Sequence, residues 1–499
     1  MDKNLSDKNL LNEARKYESI HEKDIQSGMR PLFHLTPRVG WMNDPNGFCI
    51  YKGRYHMFYQ YHPFVSQWDD MYWGHAVSDD LIHWTYMPAA MAPDEEYDKD
   101  GCFSGCSVAL DDGRHLLIYT GVRNEEQEDG QLRYIQTQNI AVGDGENYVK
   151  YEGNPVITEK DLPAGGSRHD FRDPKVWRRS DGTYIMAVGN RSADDSGQIL
   201  LYKSEDCFNW EYWRVLAANN NRYGKMWECP DFFELDGKWV LIVSPQDMLP
   251  EGFEYHNGDG TLCLIGSYDE TTGEFREERD QAIDYGIDFY APQTILTEDG
   301  RRVMIGWMQN WDACAIRKSK APWAGQMSVP RELAVQDGRL YQTPIRELET
   351  LRHDPVIIKD MRISGEKWID GIEGRTVDMT LVIRPADLQN IYHKFTVRFA
   401  RNDRFWTSLS FRPHERTLKV DRKFSGSRRA IVHQRRCLVN DTVGCLKLRI
   451  ILDRFSVEAF INDGEQVMSS ALYTDPEITG ISFFADGDAV IDIEKYSLY

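Results

Sequence analysis

Five glycine-bearing turns divide most of this chain into segments of similar length. Gly53, Gly113, Gly182, Gly237 and Gly300 each sit between two runs rich in Val, Ile, Tyr, Phe and Trp, as in Ile50-Tyr51-Lys52-Gly53-Arg54-Tyr55 and Asp236-Gly237-Lys238-Trp239. Glycine accepts the positive φ that tight hairpins need, so each is read as a hairpin turn. The intervals are 60, 69, 55 and 63 residues, which suits a four-stranded blade with its connections. The spacing therefore predicts an all-β chain built on a five-bladed β-propeller. A second echo agrees: the stretch Ser78-Asp79-Asp80-Leu81-Ile82-His83-Trp84 returns as Ser204-Glu205-Asp206-Cys207-Phe208-Asn209-Trp210, offset by 126 residues, or about two blades.

The flanks read differently. Leu10, Ala14, Tyr17 and His21 recur at helical spacing behind the candidate caps Ser6 and Asp7, which predicts one amphipathic helix packed as an appendage within residues 1–29. After a propeller spanning 30–340, Pro344 to Arg352 reads as a short helical linker within 341–354. Beyond it Phe395, Val397 and Phe399 alternate with Lys394, Thr396 and Arg398, Leu446, Leu448 and Ile450 flank Lys447 and Arg449, and Asn462-Asp463-Gly464 offers a hairpin turn. Alternation at period two marks half-buried antiparallel strands, and residues 355–499 are expected to form a β-sandwich.

Charge narrows the partners. With 59 basic and 79 acidic residues the net charge is −20, which disfavours nucleic acid and acidic membranes and suits a neutral ligand. No apolar run approaches the ~18 residues of a membrane span, and the first 24 residues are charged throughout, so no export signal is expected. The nine cysteines are odd in number, scattered and free of CxxC pairs. They point to a reduced, cytoplasmic protein without a structural metal, and nothing in the chain asks for a cofactor.

A propeller gathers the entrances of its innermost strands around a central channel. Trp41-Met42-Asn43-Asp44-Pro45-Asn46-Gly47 precedes the first turn, Arg172-Asp173-Pro174 the third and Trp227-Glu228-Cys229-Pro230-Asp231 the fourth. Asp44, Asp173 and Glu228 thus hold equivalent places, each near a proline that fixes the backbone, and should meet at the axis. Converging carboxylates without a His or Cys cage suit glycoside cleavage, in which one carboxylate attacks the anomeric carbon and another protonates the leaving oxygen. Mg²⁺ or Ca²⁺ binding is the competing reading. The nearby Trp41, Trp68, Trp73 and Trp227 favour stacking on sugar faces over a hydrated ion.

These blocks, with Phe103-Ser104-Gly105, Arg30-Pro31-Leu32-Phe33-His34-Leu35, Tyr72-Trp73-Gly74-His75-Ala76-Val77-Ser78 and Gly306-Trp307-Met308-Gln309-Asn310-Trp311, resemble the signatures of family 32 glycoside hydrolases, the β-fructofuranosidases, from about residue 30 to the end. The bacterial intracellular branch acting on sucrose or sucrose 6-phosphate is nearest. The resemblance implies a catalytic propeller and a C-terminal sandwich, with Asp44 as nucleophile, Glu228 as acid/base and Asp173 holding sugar hydroxyls. It further implies that Trp41, Asn43, Gln60, Trp68, Phe103, Ser104 and Trp311 line the fructose pocket, and Arg172 is expected to keep Asp173 ionised. One departure is Cys106, where the family block commonly has Ser; Ser104 is retained.

A fructosyltransferase on the same fold is the alternative activity, since another sugar can replace water at the covalent intermediate. A non-catalytic sugar-binding propeller would have lost a carboxylate, and all three are present. For a phosphate on the substrate, Arg123, Arg133, Arg168 and Arg191 are the candidate ligands. Residues 393–437 hold thirteen Lys or Arg against three acids, so this stretch is +10 and the rest of the chain −30. Three readings of that asymmetry stand: solvated outer faces of strands, a homodimer in which the basic sandwich meets an acidic propeller surface, and polyanion binding, which the net charge disfavours.

Overall fold

The computed structural model describes residues 9–127, 130–314, 322–426, 432–440 and 443–499. Five sheets of at least four strands form the propeller. Their innermost strands are β1 (Gly40–Tyr51), β2 (Cys102–Ala109), β3 (Phe171–Arg178), β4 (Trp227–Leu235) and β5 (Tyr290–Leu296). Each runs into one of the five glycine turns and returns as the blade's second strand, so the turns mark the first hairpin of every blade. The second echo is also structural. Ser78 Oγ accepts from the Leu81 amide (2.8 Å) and Ser204 Oγ from the Cys207 amide (2.9 Å), with φ of 67° and 68° at Leu81 and Cys207, in blades one and three. The ring closes where Trp323–Ala324 adds to β1 as a parallel strand, pairing Gly40 with Trp323 and Trp41 with Ala324.

The helix α1 (Leu10–His21) is capped by Asn9, whose side chain accepts from the Asn12 amide at 3.0 Å; Ser6 and Asp7, expected as caps, lie outside the described residues. The helix is no loose appendage. Ala14 and Glu18 are buried, Glu18 accepts from the Ala89 amide (3.1 Å), Arg15 donates to the Ala89 carbonyl (2.9 Å), and the helix is thereby fixed to the outer strand of blade one. Strand Arg339–Pro344 crosses residue 340, where the propeller was expected to end, and a 3₁₀ helix at Arg346–Leu351 follows it.

Among the described residues, ten strands make up the C-terminal domain. Its longest, Gly480–Leu498, pairs early with Lys394–Arg401 and late with Val377–Pro385, and Arg352–Lys367 follows it throughout, so two strands serve both layers of the sandwich. Phe395, Val397, Leu381, Leu448, Phe483 and Ile493 fill the space between the layers, in one apolar cluster with Leu241 and Leu264 of the fourth blade. Burying each such side chain stabilises by roughly 1.5–3 kcal/mol. Beside this apolar contact lies a buried charge network between the domains. His34 meets Asp453 through Nδ1 (2.8 Å) and Glu458 through Nε2 (3.0 Å); Arg331 meets Glu458 (2.7 Å) and Asp284 (3.0 Å), and Arg422 pairs with Asp288. Burial alone would strip His34 of its proton, but hydrogen bonds to both carboxylates outweigh it and lift the imidazole to about 9.

Candidate active site

All five innermost strands carry one extra residue at the same level. The register with the second strand slips between Met42 and Pro45, Phe103 and Gly105, Arg172 and Lys175, Glu228 and Asp231, and Tyr290 and Gln293. In four of the five a proline stands at the slip (Pro45, Pro174, Pro230, Pro292), and proline, lacking an N–H, cannot continue the ladder. Asp173, Cys229 and Ala291 take positive φ there (68°, 48° and 50°). The bulges turn side chains from each strand into the central channel.

There a cavity of about 290 Å³ is lined by Asn43, Asp44, Gln60, Trp68, Phe103, Ser104, Arg172, Asp173, Glu228 and Trp311, together with Tyr134, Gln136, His169, Asp170 and Gln246. Asp44 accepts from Asn43 Nδ2 (3.0 Å) and from Ser104 Oγ (2.7 Å). Asp173 accepts from the Cys229 amide (2.9 Å), and the Cys229 thiol lies 3.5 Å from Asp44 Oδ2 and 3.6 Å from Asp173 Oδ2, so one small side chain joins the two carboxylates. Glu228 accepts from Arg172 Nε (2.9 Å) and Tyr290 Oη (2.6 Å). Tyr290 Oη is also 3.0 Å from the Ser244 carbonyl. A phenol has one proton to give: it serves an ionised Glu228, and it turns to Ser244 when a protonated Glu228 becomes the donor. Glu228 is thus hydrogen-bonded in both protonation states, as a group that gives and then takes a proton requires.

Burial first, and then the charge of Glu228, push Asp44 up to about 6, against hydrogen bonds from Asn43, Ser104 and Cys229. The same two causes lift Asp173 to about 7. Arg172 was expected to keep Asp173 ionised; its charge does act in that direction, but burial and Glu228 outweigh it, and the two side chains do not pair. Neighbours along a strand point to different sides, and the Arg172 guanidinium goes to Glu228 and Asp170 (3.0 Å). Trp41 stands behind the cavity, where its Nε1 donates to Asn43 Oδ1 (2.8 Å) and sets that amide's orientation. Trp73 and Trp227 are blade core with exposures of 0% and 1%, whereas Trp68 at 41% forms the rim.

Sequence reasoning missed Tyr134, Gln136, His169, Asp170, Gln246 and Tyr290. For the last a signal existed: Asp44, Ser104, Asp173, Glu228 and Ala291 each stand nine residues before the glycine of their turn, which marks the neighbour of Tyr290 as the fifth equivalent position. The others come from the third strand of blade two or from connections, where no repeat singles them out.

The family comparison fits this geometry. Residues 34–344 match the N-terminal domain of glycosyl hydrolases family 32, and residues 347–499 match its C-terminal domain. The chain belongs to glycosyl hydrolase family 32. It is 37% identical to a raffinose invertase of Escherichia coli over 92% of this chain and 93% of the relative, and 32% identical to a sucrose-6-phosphate hydrolase of Bacillus subtilis over 97% and 98%. A Bombyx mori GH32 β-fructofuranosidase, solved as a mutant in complex with sucrose, superposes with a TM-score of 0.82 at 33% identity, covering 99% of both chains. The structure of a sucrose-6-phosphate hydrolase from Lactobacillus gasseri also gives 0.82, at 28% identity, over 98% of this chain and 96% of that one.

Proposed function

We propose that this chain hydrolyses terminal β-D-fructofuranosides, sucrose foremost, with retention. The observation that supports it most is the contrast between two carboxyl groups in one cavity: Asp44 held by neutral donors, and Glu228 held between a guanidinium and a phenol that can switch partners. In the first step an Asp44 oxygen bonds to the fructosyl anomeric carbon as its bond to the leaving oxygen breaks, and Glu228 delivers a proton to that oxygen. In the second, Glu228 takes a proton from water, the water oxygen bonds to the same carbon, and Asp44 leaves as carboxylate. Asp173 accepts hydrogen bonds from fructose hydroxyls as positive charge develops on the ring, while Trp68, Phe103 and Trp311 pack against the sugars. Early-time NMR of sucrose hydrolysis tests the mechanism: β-fructofuranose is expected first, and an inverted first product, or substantial kestose at high sucrose, overturns simple retaining hydrolysis.

A cytoplasmic location belongs to the same reading and is supported by Cys49, Cys102, Cys106, Cys207, Cys229, Cys263 and Cys437, all present as thiols. No helix among the described residues is long and apolar enough to cross a membrane. A homodimer at low salt follows from the charge asymmetry, although internal pairing trims it: Arg398 and Arg401 share Glu366, Arg412 meets Glu415, Lys419 meets Asp421 and Arg422 is buried with Asp288. Light scattering from ~0.1 M to ~1 M salt, where the screening length falls from about 10 to about 3 Å, should show the dimer dissociating; a monomer at low salt refutes it.

A further inference from the structure

Whether a departing sugar can carry charge depends on the charged groups around Glu228, an inference that rests on the fructosidase reading above. Glu228 gives its proton to the leaving oxygen, so the leaving sugar lies on Glu228's side of the cavity. Arg172 connects that side to the residues missed from sequence: its Nη1 donates to Asp170 (3.0 Å) and Gln136 (3.4 Å), its Nη2 to Gln246 (3.4 Å) and its Nε to Glu228 (2.9 Å). Every edge of the guanidinium is engaged within the protein.

Arg172 is the only Lys or Arg among the described residues lining the cavity, which also holds the carboxylates of Asp44, Asp170, Asp173 and Glu228. Three of the four arginines that could have cradled a phosphate, Arg123, Arg168 and Arg191, meet acids. Arg191 pairs with Asp170 and with Asp195 (2.9 Å), Arg168 with Glu125 (3.5 Å) and Gln127 (3.0 Å), and Arg123 lies 3.9 Å from Glu125. A phosphate ester needs converging donors with uncompensated positive charge. Here it would approach Asp170, a carboxylate held between two arginines whose charges are balanced by Asp170 together with Glu228 and Asp195.

We propose that Asp170 is a specificity-determining residue: it makes this enzyme prefer fructosides with an uncharged leaving sugar, such as sucrose, over their phosphate esters. Its carboxylate repels an anionic leaving group, and by occupying Arg172 and Arg191 it withholds the two cations that would bind one.

The test uses the full chain. With sucrose and sucrose 6-phosphate as competing substrates, kcat/KM should favour sucrose at least tenfold at low salt. Raising ionic strength should increase the value for the 6-phosphate several-fold and leave that for sucrose unchanged, because screening relieves repulsion. This readout sums every charge the substrate meets, including any outside the described residues. A 6-phosphate preference, or a 6-phosphate kcat/KM that falls with salt, overturns the proposal, since either shows net attraction. Asp170→Asn should raise the ratio of 6-phosphate to sucrose activity several-fold; a ratio within one variant cancels any general loss from loosening Arg172, and an unchanged ratio removes Asp170 from the argument. If that variant does not fold, product inhibition of the unaltered enzyme substitutes: glucose should inhibit more strongly than glucose 6-phosphate, and the reverse order overturns the proposal. Turnover of neither substrate would overturn the fructosidase reading itself, a result distinguishable from a reversed preference.

Discussion

The propeller axis and the propeller–sandwich interface both bury clusters of charge, and they balance it differently. At the interface Asp453, Glu458, Asp284 and Asp288 each touch a cation supplied by His34, Arg331 or Arg422. Burial works against ionisation of Asp453 and Glu458, yet their partners outweigh it and hold both below the usual carboxylate range. At the axis Asp44 and Asp173 form no ion pair among the described residues, and burial lifts both. Partners hold Asp453 and Glu458 ionised across the domain contact, whereas Asp44 and Asp173 keep the raised proton affinity that burial gives them.

Removing a carboxyl group from the axis should destroy chemistry and spare the fold. Asp44→Asn is expected to lower kcat by at least ~10⁴-fold, the scale of losing a nucleophile, with a melting temperature within a few degrees of the parent. Glu228→Gln should cost about 10²–10⁴-fold on sucrose and far less on a fructoside with an activated leaving group, which needs no proton in the first step. Equal losses on both substrates would remove Glu228 from its role.

Breaking the matched cluster should do the opposite. Glu458→Gln leaves Arg331 and His34 short of a buried partner, at a cost of about 3–5 kcal/mol. Thermal or urea unfolding should show that loss, with kcat below the transition preserved; an unchanged midpoint would mean the network contributes little.

The mildest probe is pH, because the clusters move in different windows. Asp44 must be ionised to attack, so kcat/KM should fall as pH drops through about 6. His34 binds its proton more tightly folded than unfolded, so its contribution to stability is complete below the ordinary histidine value of 6.5 and is lost as pH rises through about 9. Parallel activity and melting profiles separate the two, and coincident limbs would refute the distinction.

Most of the architecture was legible because it repeats. A turn glycine with β-rich flanks is a local signal, and five of them at similar spacing expose the blades; a proline one or two residues past each carboxylate marks the bulge that aims it. What the chain hides is choice among neighbours. Nothing in Arg172-Asp173 says that the guanidinium turns to Glu228, 56 residues away, and the indoles of Trp73 and Trp68 look alike until packing buries one and leaves the other at the rim. His34, within a block that reads as a family signature, gives no hint that its partners are Asp453 and Glu458, because a contact across more than 400 residues depends on how two domains meet.

The parallel closure of the ring bears on synthesis. The strand carrying Asp44 leaves the ribosome well before the two residues that complete its sheet, Trp323 and Ala324, which follow almost 280 residues later. Until they arrive β1 has an open edge beside Asp44, the proposed nucleophile, so a nascent chain holding all three carboxylates still lacks the closed ring that brings them into register. A chain stopped at residue 322 should therefore be inactive although every catalytic group is present, and the unpaired edge makes it a natural client for chaperones that shield exposed strands.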